Sequence, residues 1–253
     1  MTTILVPYHQ DERLPDTDIP VPAPTTTVDP VLPDGDVWAR MVALFGTVAD
    51  AVAAPIRAGA VPAVVSGDCL AALGTLTGVQ RAGLNPSLVW FDAHGDVHTQ
   101  QSSTSGYLGG MVVRLALGAH RDQLADPLGL RPLAERQAAL VDVRDLDPAE
   151  VEFLATSELR RHDIEALDTA ELPEGPLVLH IDVDVIDNDE LPNTRVPAAN
   201  GPSRRAVLDA ARRVVETGRV VAVDIACPWH PARDDTEARS RADLVAELIS
   251  LAG

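Results

Sequence analysis

The chain has 253 residues, 46% of them hydrophobic, and its formal charge at pH 7 is −18. This size and hydrophobic content fit one large α/β domain, whereas the acidic balance excludes a nucleic-acid-binding protein, because phosphate binding needs a basic surface. A membrane span and a secretory signal are not expected, since the sequence shows neither a run of about 18 apolar residues nor a basic segment leading into an apolar core at residues 1–7.

Apolar runs typical of buried strands alternate with helical patterns along the whole chain. The predicted strands are 4–7, 63–66, 88–91, 139–143, 177–183 and 220–225. The predicted helices are 37–57, 69–81, 107–117, 148–156, 203–216 and 236–251. The proline-rich stretch 14–36 is predicted to be a long surface connection. This alternation predicts a three-layer, doubly wound α/β fold, with a mostly parallel sheet covered by helices on both faces, in a single domain 1–253.

Residues that can bind a metal follow the ends of three predicted strands. Asp68 and Cys69 follow the second strand, the segment 92–96 follows the third, and the segment 182–187 follows the fifth. In open α/β sheets, ligands bind outside the carboxyl ends of the strands. We therefore expect the three segments to converge on one site.

Two of these segments carry acids at alternate positions. Asp92, His94 and Asp96 would share one face of an extended backbone, and so would Asp182 and Asp184. Acids on one face of a buried strand repel each other unless a cation lies between them. Either segment alone could instead cap a helix or pair with arginines, but the two together favour a metal site.

Both segments, with the preceding Gly67-Asp68-Cys69, resemble in order and spacing the three signatures of the arginase/agmatinase (ureohydrolase) family. The resemblance covers most of the chain and implies an arginase-like hydrolase of linear amidines with two Mn²⁺ ions per chain. It implies the metal ligands Cys69, Asp92, His94, Asp96, Asp182 and Asp184. By the same resemblance, Asp92 and Asp182 bridge the ions and, with Asp96, position the hydroxide that attacks the substrate.

Three positions depart from the family pattern. Cys69 stands where the family usually has histidine; as a thiolate it can still bind the ion, with a shift in preference towards zinc, although a buried cysteine that only packs is the alternative. Gly109 stands where arginase keeps a histidine that is thought to shuttle protons. Cys227 replaces the glutamate that pairs with the guanidinium, and we interpret it as a packing residue.

The residues that recognise an amino acid are retained by the same resemblance. Asp147 matches the aspartate that binds the α-ammonium group, Ser105 matches a serine at the α-carboxylate, and His98 replaces an asparagine with that role. Asp147 also has the pattern of a helix N-cap followed by proline, and the two roles are compatible. His180 is predicted to support the metal ligands from its place on the strand of Asp182. The other histidines are interpreted as surface or packing residues: His9, His120, His162 and His230.

The site keeps these contacts but lacks both the shuttle histidine and the guanidinium glutamate, which indicates that its substrate is an arginine analogue. An N-hydroxyguanidine fits, because its hydroxyl group lowers the basicity and makes the carbon easier to attack. The changes at Cys69 and Gly109 resemble the branch of the family that converts Nω-hydroxy-L-arginine to hydroxyurea and L-ornithine in D-cycloserine biosynthesis. The alternatives are another ureohydrolase (arginase, agmatinase or formiminoglutamase), a hydrolase with Cys69 as nucleophile, and a non-catalytic relative.

The expected partner is a small guanidino molecule, without nucleic acid or membrane. Two cysteines do not indicate a disulfide framework, so we expect a cytoplasmic protein. Members of the family form trimers or hexamers, but this chain stops directly after its last predicted helix, which favours a monomer.

Overall fold

The central sheet is parallel throughout. The computed structural model describes residues 2–15 and 17–253. In spatial order, its strands are β4 (Thr26–Thr27), β1 (Thr2–Val6), β5 (Pro62–Ser66), β10 (Val220–Ala226), β9 (Leu177–Asp182), β6 (Ser87–Phe91), β7 (Ala138–Val141) and β8 (Arg160–His162). Each pairing in this sheet is parallel, and a separate small hairpin joins β2 (Tyr8–His9) to β3 (Glu12–Arg13).

Helices lie on both faces of the sheet and form two separate cores. The helices are α1 (Val37–Arg57), α2 (Ala71–Arg81), α3 (Val112–Ala116), α4 (Ala125–Leu128), α5 (Pro148–Thr156), α6 (Arg204–Val215) and α7 (Asp235–Ile249). Successive strand residues alternate between the cores: Val64 packs with α1 and α2, and Val65 packs with α6 and α7. The predicted three-layer α/β fold is confirmed.

The predicted elements differ from the observed ones where side chains or glycines interrupt a pattern. Helix α2 begins two residues later than predicted, because Asp68 accepts a hydrogen bond from the Leu70 amide and holds the chain in a turn. The segment predicted as helix 107–117 is a 3₁₀ turn (Gly109–Met111) followed by the short α3, since two consecutive glycines weaken the helix. The stretch 14–36 contains the edge strand β4, which short polar residues did not indicate.

Helix α1 is long and apolar enough to cross a membrane by length and composition alone, with 21 residues and a mean hydropathy of 1.5. In this fold, one face of it is buried against α2. A side chain at Gly74 would bring its Cβ within 2.7 Å of Val48 Cβ, and one at Gly78 would lie 2.7 Å from Val52 Cβ. These glycines let the helices approach closely, so α1 serves as a core helix.

The start of α7 is held by a partly buried carboxylate. Glu237 accepts hydrogen bonds from the Arg233 Nε at 2.7 Å, from the Asn193 Nδ2 at 3.0 Å and from Arg241. Burial alone would raise the pKa of Glu237, but the hydrogen bonds from Arg233 and Asn193 outweigh it and lower the pKa to about 2. The ionised carboxylate therefore ties the loop around residue 193 to α7.

We expect Glu237→Gln to lower the free energy of unfolding by about 2 kcal/mol at pH 7, since hydrogen bonds to a charged group are lost. A folded-state pKa below the unfolded value of 4.5 stabilises the protein above that pH, and this stabilisation is lost as pH falls towards 2. Urea unfolding of the natural protein and the variant measures the difference in the free energy of unfolding at pH 7 and at pH 3. Glu247→Gln, at an exposed site on the same helix, is the control; an equal loss in the two variants, or the same difference at both pH values, would contradict the prediction.

Candidate metal centre

The six predicted metal ligands lie together at the carboxyl ends of the four central strands. Strands β5, β10, β9 and β6 are neighbours in the sheet, and the ligand-bearing segments follow directly from the ends of β5, β9 and β6. A cavity of about 140 Å³ opens there. Its walls include all six of these residues, Cys69, Asp92, His94, Asp96, Asp182 and Asp184. The parallel topology therefore produces the convergence expected from the sequence.

Cys69 and Asp182 form the closest pair in this cavity. The Cys69 Sγ donates to the Asp182 Oδ2 at 2.6 Å and lies 4.0 Å from the Asp92 Oδ2. Asp92 is held from two sides, because its Oδ2 accepts from the Trp90 Nε1 at 3.0 Å and its Oδ1 accepts from the His94 amide at 2.7 Å. These local hydrogen bonds fix the carboxylate before any ion binds.

The second group of ligands surrounds the imidazole of His94. Its Nδ1 lies 3.3 Å from the Asp92 Oδ1 and 3.4 Å from the Asp184 Oδ2. Burial would lower the pKa of His94, but hydrogen bonds to Asp184 and Asp92 raise it to about 12. Burial and the charge of Asp92 raise the pKa of Asp184 to about 6. A metal ion at this position must displace protons, so its uptake strengthens as pH rises.

Several buried atoms in the cavity have no hydrogen-bond partner among the described residues. They include the Asp96 Oδ2 and the Asp184 Oδ1, and burial raises the pKa values of Asp96 and Asp182 well above the usual range. Asp96 also adopts a left-handed backbone with φ of 51°, which is strained for a residue with a side chain. Four clustered carboxylates, two of them with an unpaired oxygen, are costly without a cation, so this donor set fits divalent metal ions.

A layer of aromatic and polar side chains lies beneath Asp92. Trp90 stacks on His180 with ring centroids 3.6 Å apart, and the His180 Nδ1 lies 2.7 Å from the Asp224 Oδ1. Asp224 in turn accepts a hydrogen bond from Thr75 on α2. The strands place these residues side by side, since Trp90 and Asp224 are both in register with His180.

Of the three predicted substrate residues, only His98 lines the cavity, and Asp147 lies next to it. The His98 Nε2 lies 2.8 Å from the Asp147 Oδ2, so the two residues are paired with each other. Ser105 is exposed and is not part of the cavity wall; its Oγ accepts from the Tyr107 amide at 3.2 Å. Glu150 was missed in the sequence: it lines the cavity and accepts from the Asp147 amide. Its signal was the Asp-x-x-Glu pattern of a capping box.

Tyr107 is the second wall residue that the sequence did not indicate. A Cβ placed at Gly109 would lie 2.3 Å from the Tyr107 Cε1 and 2.6 Å from its hydroxyl oxygen. The phenol thus occupies the space that a side chain at position 109 would enter. Stacking on His9, with centroids 5.7 Å apart, holds the ring there. The sequence shows the glycine at position 109, but it does not indicate the direction in which the side chain of Tyr107 points.

The remaining residues singled out in the sequence lie outside this cavity wall. Cys227 is buried in the core formed with α6 and α7, as expected for a packing residue. The His120 Nε2 accepts from the Gln100 amide at 3.0 Å. His162 lies on the edge strand β8, and His230 is exposed.

If Cys69 binds an ion as a thiolate, metal should protect it from alkylation. We expect slow reaction with iodoacetamide in manganese-loaded protein and a rate at least about tenfold higher after chelation. Mass spectrometry of the alkylated peptide measures the rate at Cys69, and Cys227, which is also buried, is the internal control. Cys69→His should keep two ions and Cys69→Ala should lose one first. Equal alkylation with and without metal would show that Cys69 does not bind the ion.

Comparison with solved structures shows the same fold over almost the whole chain. An arginase from Bacillus cereus superposes with a TM-score of 0.81 at 22% identity, covering 98% of this chain and 97% of that one. A formimidoylglutamase from Bacillus subtilis superposes with a TM-score of 0.73 at 15% identity, covering 99% and 86%. At these identities, the likeness describes the fold alone.

Sequence comparison shows to which protein family the chain is related. It is 34% identical over 192 residues to an arginase of Eremothecium gossypii, and 30% identical over 201 residues to an arginase of Schizosaccharomyces pombe. These matches cover 70% and 73% of this chain but only 48% and 62% of the two relatives, so the chain spans about half to two thirds of their length. The model of the arginase family matches residues 17–251. With the acidic segments, the cavity and this match together, the chain belongs to the arginase family.

Proposed function

We propose that the chain hydrolyses the guanidino carbon of an arginine analogue, with Nω-hydroxy-L-arginine as the substrate and hydroxyurea and L-ornithine as the products. Two Mn²⁺ ions, when bound by the six ligands of the cavity, would activate water and stabilise the charge that develops during attack. The arginases among its relatives support the reaction class. The residue changes at positions 69 and 109 support the particular substrate, since they resemble the hydroxyarginine branch of the family.

The occupied space at position 109 carries this proposal. Because the Tyr107 ring fills the volume next to Gly109, no side chain at that position can give a proton to the leaving nitrogen. Cys227 is buried away from the cavity, and the apolar Val196 and Pro228 line the wall instead. Positions 109 and 227 therefore offer a strongly basic guanidinium neither a proton donor nor a carboxylate. A less basic hydroxyguanidine needs neither the shuttle nor an additional carboxylate.

The pair His98 and Asp147 suits the zwitterionic end of an amino acid. In the free protein, the His98 Nε2 and the Asp147 Oδ2 contact each other at 2.8 Å. A bound substrate can exchange this contact for two, with its α-ammonium group on Asp147 and its α-carboxylate near His98. Ser105 would join the second contact if its loop turns inwards. Agmatine lacks the carboxylate and would leave His98 without a new partner.

The alternative with Cys69 as a covalent nucleophile has little support. Burial, followed by the charges of Asp182 and Asp92, raises the pKa of the Cys69 thiol well above its usual value. A nucleophilic cysteine needs the opposite environment, in which cations stabilise the thiolate. Other ureohydrolase substrates remain compatible with the family.

The test is the formation of L-ornithine and hydroxyurea, measured by chromatography, from Nω-hydroxy-L-arginine with manganese-loaded and with metal-stripped protein. We expect both products in equal amounts from the loaded protein only. Equal rates of product formation in the two preparations would contradict a metal-dependent mechanism. No hydroxyurea from the loaded protein would remove the substrate assignment.

A further inference from the structure

His180 carries a buried nitrogen that nothing in the described structure satisfies. Its side chain is fully buried, and its Nε2 has no hydrogen-bond partner among the described residues. An unpaired polar atom in the interior is costly and calls for an explanation such as an ion that binds there. The atom therefore marks a position where a ligand is expected.

The hydrogen-bond partner of the His180 Nδ1 determines whether the Nε2 has a lone pair that can bind a metal ion. The His180 Nδ1 lies 2.7 Å from the Asp224 Oδ1, which is an acceptor. When the Nδ1 donates in this contact, the Nε2 has a lone pair to offer. Histidines that bind metals commonly have their other nitrogen bonded to a carboxylate in this way, which orients the ring and raises its basicity.

The surroundings of His180 contain two of the predicted metal ligands. A ring nitrogen of His180, the Cys69 Sγ and a carboxylate oxygen of Asp92 all lie within 4.8 Å of one another. Atoms that bind one ion are separated by distances of this size, given ligand bonds of about 2.0–2.3 Å. The stack on Trp90, which itself donates to Asp92, prevents the ring from turning away.

We propose that His180 binds the ion on the Cys69 side of the centre, so that this position combines sulfur, nitrogen and carboxylate ligands. Such a donor set favours a borderline-soft ion such as Zn²⁺ or Co²⁺. The position around His94 and Asp184 keeps one imidazole with carboxylates, which suits Mn²⁺. The two positions of the centre would thus differ in the ion that each prefers. This inference rests on the proposed dinuclear site.

The first experiment titrates the metal-stripped full chain with Co²⁺ and follows the absorption that a cobalt–thiolate bond produces. We expect two bound equivalents, of which the first produces this absorption. His180→Ala should weaken binding of that equivalent by about 10–100-fold, which is typical of losing a partner of a metal site, and should leave the other equivalent unchanged. The control is His162→Ala, which removes a half-buried histidine whose buried Nε2 also has no partner among the described residues, far along the sheet on β8.

The second experiment needs no variant, so it stands even if His180→Ala fails to fold. X-ray absorption of the natural chain with one equivalent of Zn²⁺ should show one sulfur at about 2.3 Å and the scattering of an imidazole ring on the same ion. Sulfur without imidazole, or equal cobalt affinities in His180→Ala and His162→Ala, would overturn the role of His180 while leaving the two-metal function intact. If the chain binds neither cobalt nor manganese, the proposed function itself fails.

Discussion

Replacing Asp182 by asparagine should abolish activity and metal binding, and it should raise the thermal stability of the metal-free protein. Asparagine keeps an oxygen for the hydrogen bond from the Asp184 amide but removes a charge that would bind both ions. In the metal-free protein, burial and then the charges of Asp184 and Asp92 raise the pKa of Asp182. An acid with a raised folded-state pKa destabilises the protein above its unfolded pKa, so the neutral amide relieves this cost.

The expected loss of activity is large, because the substitution would remove one ligand from each of the two ions. We expect less than about one thousandth of the natural kcat/KM with any guanidine, because in the proposed centre Asp182 would serve both ions. In a chain of this length, each kcal/mol of relieved repulsion raises Tm by about 2–4 °C. Calorimetry without manganese measures the expected rise in the Tm of the metal-free protein, and calorimetry with manganese measures the loss of metal binding. Asp187→Asn is the control, since Asp187 belongs to the same segment but binds the amides of Asp189 and Gly201; an equal loss of metal in both variants would contradict the assignment.

Nω-hydroxy-L-arginine should be hydrolysed with a kcat/KM about 10²–10⁴ times that of L-arginine. A positioned general acid contributes about this factor when a leaving amine must be protonated, and position 109 offers none. L-Arginine depends on that proton most, because its guanidinium is strongly basic. Agmatine should be at least as poor, since His98 and Asp147 would remain paired with each other.

The measurement compares the three compounds under identical manganese loading, with product formation followed by chromatography. Gly109→Ala provides a structural check, since its Cβ would displace the Tyr107 ring and should lower activity with all three substrates. If L-arginine or agmatine matches the hydroxylated compound, the interpretation of Gly109 and Cys227 is wrong, although membership in the family stands.

The sequence predicted most of the elements that build the site, because they depend on strong local patterns. Helices α1 and α5 have the predicted bounds, and the predicted cap Asp147 accepts from the amides of Ala149 and Glu150. The convergence of the acidic segments follows from parallel strands alone. The edge strands β4 and β8 were missed because they have only two or three residues, mostly polar, whose conformation is set by pairing with a neighbour.

The finer geometry of the site could not be read from spacing. The Tyr107 ring points into the cavity because it stacks on His9, which lies almost a hundred residues earlier in the chain. His98 pairs with Asp147, about fifty residues later in the chain. Such contacts arise only after the elements have packed, so motif positions indicate the residue types but not the direction of each side chain.

The place of β10 in the sheet has a consequence for how the chain reaches its fold. This strand comes last in the sequence but lies between β5 and β9 at the centre of the sheet. Until residue 226 has been synthesised, the sheet consists of two halves, each with an open inner edge that can pair with other chains. The closing strand also brings Asp224 to His180. The metal-binding end of the sheet therefore cannot form early during synthesis, and the unfinished chain is most exposed to aggregation just before β10 inserts.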